Sequence, residues 1–208
     1  FAAHISCCAC LSTNQILLDQ IKEEILKDNS IHLKATATNL VFGKGNPDAK
    51  ILFVGESPGA NEDLQGIPFV GAAGKNLDSM LNKIGISIND VYIANILKYR
   101  PPENRNPLPE EILSHTPYLI KQISIIKPKV ICSLGNFATK FFLSNAIVEN
   151  MEKQEGITKL HGKPLNINFK DLKIKLIPLF HPAAIIYNRK LLEEWEKDIQ
   201  IVKKEIHS

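Results

Sequence analysis

ILFVGESPG, residues 51–59, is the stretch from which the fold can be read. Ile51 to Val54 run without a polar break into Gly55, the pattern of a strand buried on both faces of a parallel sheet. Three more such runs follow: Val91 to Ala94, Val130 to Leu134 and Ile174 to Phe180. Between and after them the apolar spacing turns helical, at about 73–84, 110–126, 136–144 and 190–206. Residues 13–27 form a first amphipathic helix, with Ile16, Leu17, Ile21, Ile25 and Leu26 as its stripe and Thr13 or Asn14 as its cap. Strands alternating with helices require right-handed crossovers. The expected fold class is therefore α/β, three-layered, with a four-stranded parallel sheet flanked by helices.

The chain has 208 residues, 44% hydrophobic and 23% charged, values that exclude a disordered, collagenous or coiled-coil protein. A chain of this size forms a core without a disulfide or metal staple. No apolar run approaches the length of a membrane span, and the net charge of +3 permits an acidic partner without demanding one. Cys7, Cys8 and Cys10 crowd the first ten residues while Cys132 stands alone in an apolar run, which reads as free thiols in a reducing compartment. Residues 1–12 are expected to be a processed, truncated or disordered segment, and 13–208 a single domain. Pro101 to Pro109 (PPENRNPLP) reads as a rigid loop inside that domain.

In an open α/β sheet, ligands sit at the carboxyl ends of the strands. Three of the four strands end in reactive groups: Glu56 and Ser57 after the first, Asn95 after the second, His181 after the last. Their strands are expected to lie side by side, so these groups would share one crevice. The glycines and prolines around Glu56 expose backbone N–H groups and let a ligand approach the main chain. Gly74-Lys75 does not complete a phosphate-binding loop, because the first glycine of that motif would fall on Phe69 and its hydroxyl residue on Asn76.

Taken together, GESPGANED (55–63), GIPFVGAAG (66–74), NILKYRPPENRNPLP (95–109) and FHPA (180–183) resemble the family 4 uracil-DNA glycosylases, some of whose genes carry a phage-type DNA polymerase-related label. The similarity runs from about Ile25 to Ile206. It implies a monofunctional DNA glycosylase of base-excision repair. Such an enzyme hydrolyses the bond between uracil and deoxyribose in single- or double-stranded DNA and leaves an abasic site.

A glycosylase must take the nucleotide out of the stack into a closed pocket. By the resemblance, Phe69 is the stacking aromatic, Asn95 reads the base edge, and Gly55 and Ser57 complete the substrate pocket. A carboxamide accepts from uracil N3–H and donates to O4, whereas cytosine presents the opposite pattern. His181 is placed to stabilise the charge that develops on uracil O2. Glu56 is the first candidate to steady the positive sugar and orient water, ahead of Glu62 and Asp63, with Asn104 helping to place that water. Arg100 and Arg105, flanking the proline loop, are expected to contact phosphates.

The chain departs from the family at the positions of its 4Fe–4S ligands, which fall on Asp28, Ile31, Tyr99 and His115, none of them cysteine. No cofactor is expected, and packing around Tyr99 and Ile31 is expected to replace the cluster. Cys7-Cys8-x-Cys10 lacks a metal-binding spacing. After the HPA motif, relatives continue with an arginine and a proline where this chain has Tyr187 and Arg189, which leaves strand preference open. The basic, histidine-containing insertion of relatives that trap uracil covalently is also missing. Two alternatives stand beside the glycosylase: a catalytically inactive DNA-binding protein of the same fold, and a glycosylase for another damaged base. The expectation is a cytoplasmic, monomeric protein that uses no membrane.

Overall fold

A computed structural model describes residues 11–185 and 188–207. The expected N-terminal segment with Cys7, Cys8 and Cys10, apart from its last two residues, and Tyr187 lie outside these. Helix α1 spans Thr13–Lys27. Its cap is Ser12, not Thr13 or Asn14, because the Ser12 hydroxyl accepts from Gln15 N–H at 3.2 Å. The chain continues through β1 (Lys44–Gly45), β2 (Ile51–Gly55), α2 (Ala60–Gln65), α3 (Ala72–Lys83), β3 (Val91–Asn95) and α4 (Pro109–Ile126). It then forms β4 (Val130–Leu134), α5 (Gly135–Leu143), α6 (Val148–Met151), α7 (Ile157–Leu160), β5 (Leu165–Phe169), β6 (Leu172–Leu179), α8 (Pro182–Ile185) and α9 (Arg189–His207).

The sheet has six strands in the order β1-β3-β2-β4-β6-β5, where four were expected. The central four, β3, β2, β4 and β6, are the expected strands and run parallel. Antiparallel β1 and β5 cover the two edges. Pleating explains the unbroken apolar runs. Leu52, Val54, Ile131 and Leu176 belong to one core beneath α1, α4 and α5, while Ile51, Phe53, Cys132 and Ile177 belong to a second core beneath α3, α8 and α9. Cys132 is fully buried, as its apolar run implied.

The sheet order corrects one expectation. The strands that end at Glu56 and Asn95 are neighbours, but β4 lies between β2 and β6, so the His181 strand is one place removed. All four parallel strands still end on the same edge of the sheet, and that edge carries the site.

Candidate active site

A cavity of about 420 Å³ opens at this edge, lined by Glu56, Ser57, Pro58, Gly59, Glu62, Phe69, Ala73, Asn95, Asn104, His181 and Ala183. Four separate loops, after β2, before α3, after β3 and after β6, therefore converge as the strand ends implied. Gly55 lies behind the wall. A Cβ there would sit 2.4 Å from Asn95 Oδ1 and 2.8 Å from the Phe69 ring, so glycine makes room for both.

Asn95 is buried, and its Oδ1 has no hydrogen-bond partner among the described residues. A buried acceptor left open at a cavity wall is costly unless a ligand fills it. The residue is fixed from behind: Ile96 N–H donates to Gly55 O at 3.0 Å and Leu97 N–H to Glu56 O at 3.0 Å, extending the β2–β3 pairing past the strand ends. Lys98, fully buried, donates from Nζ to the Asn95 carbonyl at 2.7 Å, and burial pulls its pKa down to about 7.

Phe69 adopts φ 51°, the left-handed region that L-residues avoid, and its ring lies 5.9 Å from the His181 ring, tilted by 33°. Two side chains hold this turn through three hydrogen bonds. Lys44 Nζ donates to the Phe69 carbonyl at 2.9 Å, and Glu62 Oε1 accepts from Val70 N–H at 3.0 Å and Gly71 N–H at 2.8 Å. Glu62 thus lines the cavity with one oxygen already committed to the loop. Asp63 faces elsewhere, accepting from the amides of Thr38 and Asn39.

His181 accepts at Nδ1 from Ala183 N–H, 3.2 Å away. An amide can only donate, so the neutral ring carries its proton on Nε2. Burial draws the pKa of His181 down to about 4, against the opposing pull of Glu62, so the ring is neutral at pH 7. The preceding residue is braced. Trp195 Nε1 donates to Phe180 O at 2.7 Å, and the His161 ring stacks on Phe180 at 4.4 Å. Glu56 shows the opposite electrostatic response, burial raising its carboxyl pKa.

Asn104 lines the same cavity in the left-handed conformation, and its Oδ1 accepts from Arg100 Nε at 2.8 Å, which leaves its amide N–H groups free to serve the cavity. Arg105 grips Glu111 with two nitrogens, at 2.9 and 2.5 Å, and fastens the proline loop to the start of α4.

Of the four positions equivalent to the family's cluster ligands, His115 lies on α4, Tyr99 packs against it, and Asp28 bonds to Tyr118 of the same helix. Asp28 accepts from the Tyr118 hydroxyl at 2.5 Å, which holds its carboxyl down to about 2. Ile31 and Tyr99 are buried in the first core. His115 is fully buried, with Nδ1 2.7 Å from Glu111 O, its ring edge-on to Tyr99 at 6.1 Å, and a pKa drawn down to about 4 by burial. A 4Fe–4S cluster takes four thiolates. An isoleucine without a donor atom, a carboxylate engaged by a phenol and a histidine tied to a carbonyl do not fit it. Among the described residues, no group of three or more His, Cys, Asp or Glu could hold a metal ion.

Sequence reasoning missed Lys44, Lys98 and Trp195, the residues that support the site. Only Lys98 carries a signal, a lysine inside the otherwise apolar NILKY.

A mainly parallel sheet with an aromatic ring, an open carboxamide and a neutral imidazole around one cavity at its carboxyl edge defines an α/β protein built to take a ligand at the strand ends, and comparison with known proteins gives its family. Residues 42–202 match the family model described as the Uracil DNA glycosylase superfamily. The type-4 uracil-DNA glycosylase of Archaeoglobus fulgidus is 45% identical, over 88% of this chain and 90% of its own length. That of Sulfurisphaera tokodaii is 46% identical over 88% and 83%, and that of Thermotoga maritima 41% identical over 93% and 98%. The chain belongs to the uracil-DNA glycosylase superfamily, in its type-4 branch.

Proposed function

We propose that this chain is a monofunctional uracil-DNA glycosylase that hydrolyses the N-glycosidic bond of uracil in DNA and leaves an abasic site. The observation that carries the reading is the open Asn95 Oδ1 in the wall of a cavity that the ring of Phe69 and the imidazole of His181 also line. A flipped base stacks on Phe69. Its N3–H supplies the missing donor to Asn95 Oδ1, and its O4 accepts from the Asn95 amide. Cytosine has a bare N3 and an amino group at C4, so it leaves both Asn95 groups mispaired, at a cost of a few kcal/mol, roughly 10²-fold or more in selection.

As the glycosidic bond breaks, negative charge gathers on uracil O2 and positive charge on the sugar. His181, with its proton on Nε2, donates to O2. This donor is in place before reaction and carries no charge of its own. Glu56, ionised above its raised pKa, faces the positive sugar and orients water for attack on the anomeric carbon, with the free Asn104 amide as a second contact for that water. Glu62 contributes by fixing the loop that presents Phe69.

We further propose that the enzyme works without an iron–sulfur cluster. The absence of a donor on Ile31 and the engagement of Asp28 by Tyr118 support this. DNA is placed across the same edge, with Arg100 at the phosphates and Arg105 setting the loop. A second hollow of about 310 Å³, running from Glu56 and His181 to Gly135 and Lys140, offers a path for the backbone. We take the enzyme to act as a cytoplasmic monomer on single-stranded and duplex DNA. No helix among the described residues is long and apolar enough to cross a membrane.

The test is single-turnover release of uracil from single-stranded and U·G duplex oligonucleotides, with iron analysis and a visible spectrum of the same preparation. Uracil release by a colourless, iron-free protein, lost in Asn95→Ala and His181→Ala, is the expected outcome. DNA binding without release, indifferent to uracil, would favour an inactive DNA-binding protein. A brown, iron-containing protein would remove the cluster-free reading.

A further inference from the structure

We propose that Lys98 is a positioning residue for uracil recognition, its amino group holding the backbone of Asn95 so that the carboxamide meets the base edge. The assignment rests on Asn95 reading the base. Lys98 is among the largest fully buried side chains of the protein and is three residues beyond Asn95. It forms no salt bridge among the described residues. Its hydrogen bond goes to the Asn95 carbonyl at 2.7 Å, and the ring of Phe42 lies 6.0 Å from Nζ. A buried amine without a carboxylate, charged or neutral, is a poor structural choice, since an apolar side chain of the same volume fills the space without the desolvation cost.

The carbonyl it holds is well chosen for a positioning role. Asn95 is the last residue of β3, and the chain beyond it leaves the regular sheet, with the amides of Ile96 and Leu97 turned to Gly55 and Glu56. Lys98 closes that turn from the inside. The Lys98 carbonyl in turn accepts from Val41 N–H at 2.8 Å, so both ends of the residue are anchored. The pocket face of Asn95 is left to the ligand, and its back is clamped by a side chain that reaches no substrate atom. A small rotation of the Asn95 peptide would swing Oδ1 away from N3–H, and hydrogen bonds weaken steeply with angle.

The experiment compares wild type, Lys98→Met, Asn95→Ala and the double variant for single-turnover uracil release at saturating protein, followed for hours so that slow variants yield a rate, alongside thermal melts. Lys98→Met is expected to melt no lower than wild type, yet to release uracil about tenfold more slowly, the size of coupling seen between residues in contact. In the Asn95→Ala background the same change is expected to have no further effect, because no carboxamide remains to position. Lys98→Gln, which keeps a donor for the carbonyl, is expected to recover part of the rate. An unchanged rate in Lys98→Met overturns the proposal, as does an equal loss in both backgrounds. If Lys98→Met and Lys98→Gln both fail to fold, Lys98 is structural and the proposal falls. A wild type that releases no uracil defeats the glycosylase reading itself. An active wild type with an indifferent Lys98 defeats this inference alone.

Discussion

Lys44 and Phe69 are joined by a hydrogen bond from the lysine Nζ to the phenylalanine carbonyl, 2.9 Å long, at a residue whose φ of 51° no side chain but glycine adopts freely. Left-handed backbone costs an ordinary residue about 1–2 kcal/mol, and the bonds at its carbonyl and at the next two amides offset that cost. The turn that presents the Phe69 ring to the cavity is therefore strained and held under restraint. Burial lowers the pKa of Lys44, with the charges of Asp78 and Glu62 opposing the shift.

Removing that restraint should loosen the platform without removing the aromatic ring. Lys44→Met is expected to slow uracil release by about tenfold, with a global stability loss of about 1 kcal/mol. Single-turnover rates and urea melts on the same preparation check this. A rate equal to wild type would mean that the turn holds itself.

Gly74 supports the same turn from the far side. A Cβ on it would lie 1.9 Å from the Phe69 carbonyl oxygen, so backbone must move to admit it. Gly74→Ala is expected to destabilise the fold by about 2 kcal/mol or more and to lose most uracil release, as read by denaturant unfolding and by assay. A stable, fully active Gly74→Ala protein would contradict the geometry.

The pH–rate profile should separate Glu56 from His181, two of the titratable groups that line the cavity. Burial raises the Glu56 pKa above 4.5, whereas His181 stays neutral down to about 4. The acid limb of single-turnover release is thus expected to belong to Glu56, with a midpoint above 4.5, the rate falling as acid protonates the carboxylate. Glu56→Gln should be slower by about 10²-fold or more and should lack that limb. A wild-type limb centred near 4 would transfer it to His181.

Stability should begin to fall with acid at the buried histidines. Fully buried His115 has its pKa lowered from 6.5 to about 4. Between those values the unfolded chain binds a proton that the folded one refuses, so stability is intact above pH 6.5 and drains as the pH falls toward 4. The loss reaches about 3 kcal/mol for a group shifted this far. His181 adds to it in the same window. Denaturant melts from pH 7 to pH 4 on wild type and His115→Phe test this, the variant being expected to show the flatter dependence.

The central strands and long helices were legible because their residues answer to one requirement each. Ile51 to Gly55 are buried on both faces and read as an unbroken run, and α4 keeps the helical period of a one-sided stripe. In α1 the period held but the face was misplaced: Leu18, Ile21 and Ile25 are buried, while Ile16, Leu17 and Leu26 of the expected stripe are exposed, because the helix packs on one narrow line against the core. The edges were not. β1 is two residues long, too short for any period, and its place is set by pairing with Ile93 and Tyr92. In β5, Leu165, Ile167 and Phe169 alternate with two asparagines, a strand signal in a segment too polar to stand out among the apolar runs. The cavity-lining residues were legible from strand ends and motifs. Glu62, Arg105 and Lys98 were not legible in their roles, because a carboxylate committed to two amides, a guanidinium gripping Glu111 and an amine behind a strand end meet partners only three to nine residues away, through loops and turns that carry no periodic signal.

The indole of Trp195 donates to the carbonyl of Phe180, immediately before His181, and it is the protein's single tryptophan. Tryptophan emission, excited beyond the tyrosine absorption band, therefore comes from one fluorophore whose N–H is tied to the loop bearing the imidazole. Any ligand that shifts that loop changes the indole's hydrogen bond and with it the colour and yield of its light. The unmodified protein is its own optical sensor, and stopped-flow mixing with DNA can time the arrival of a base beside His181 separately from the bond cleavage that follows.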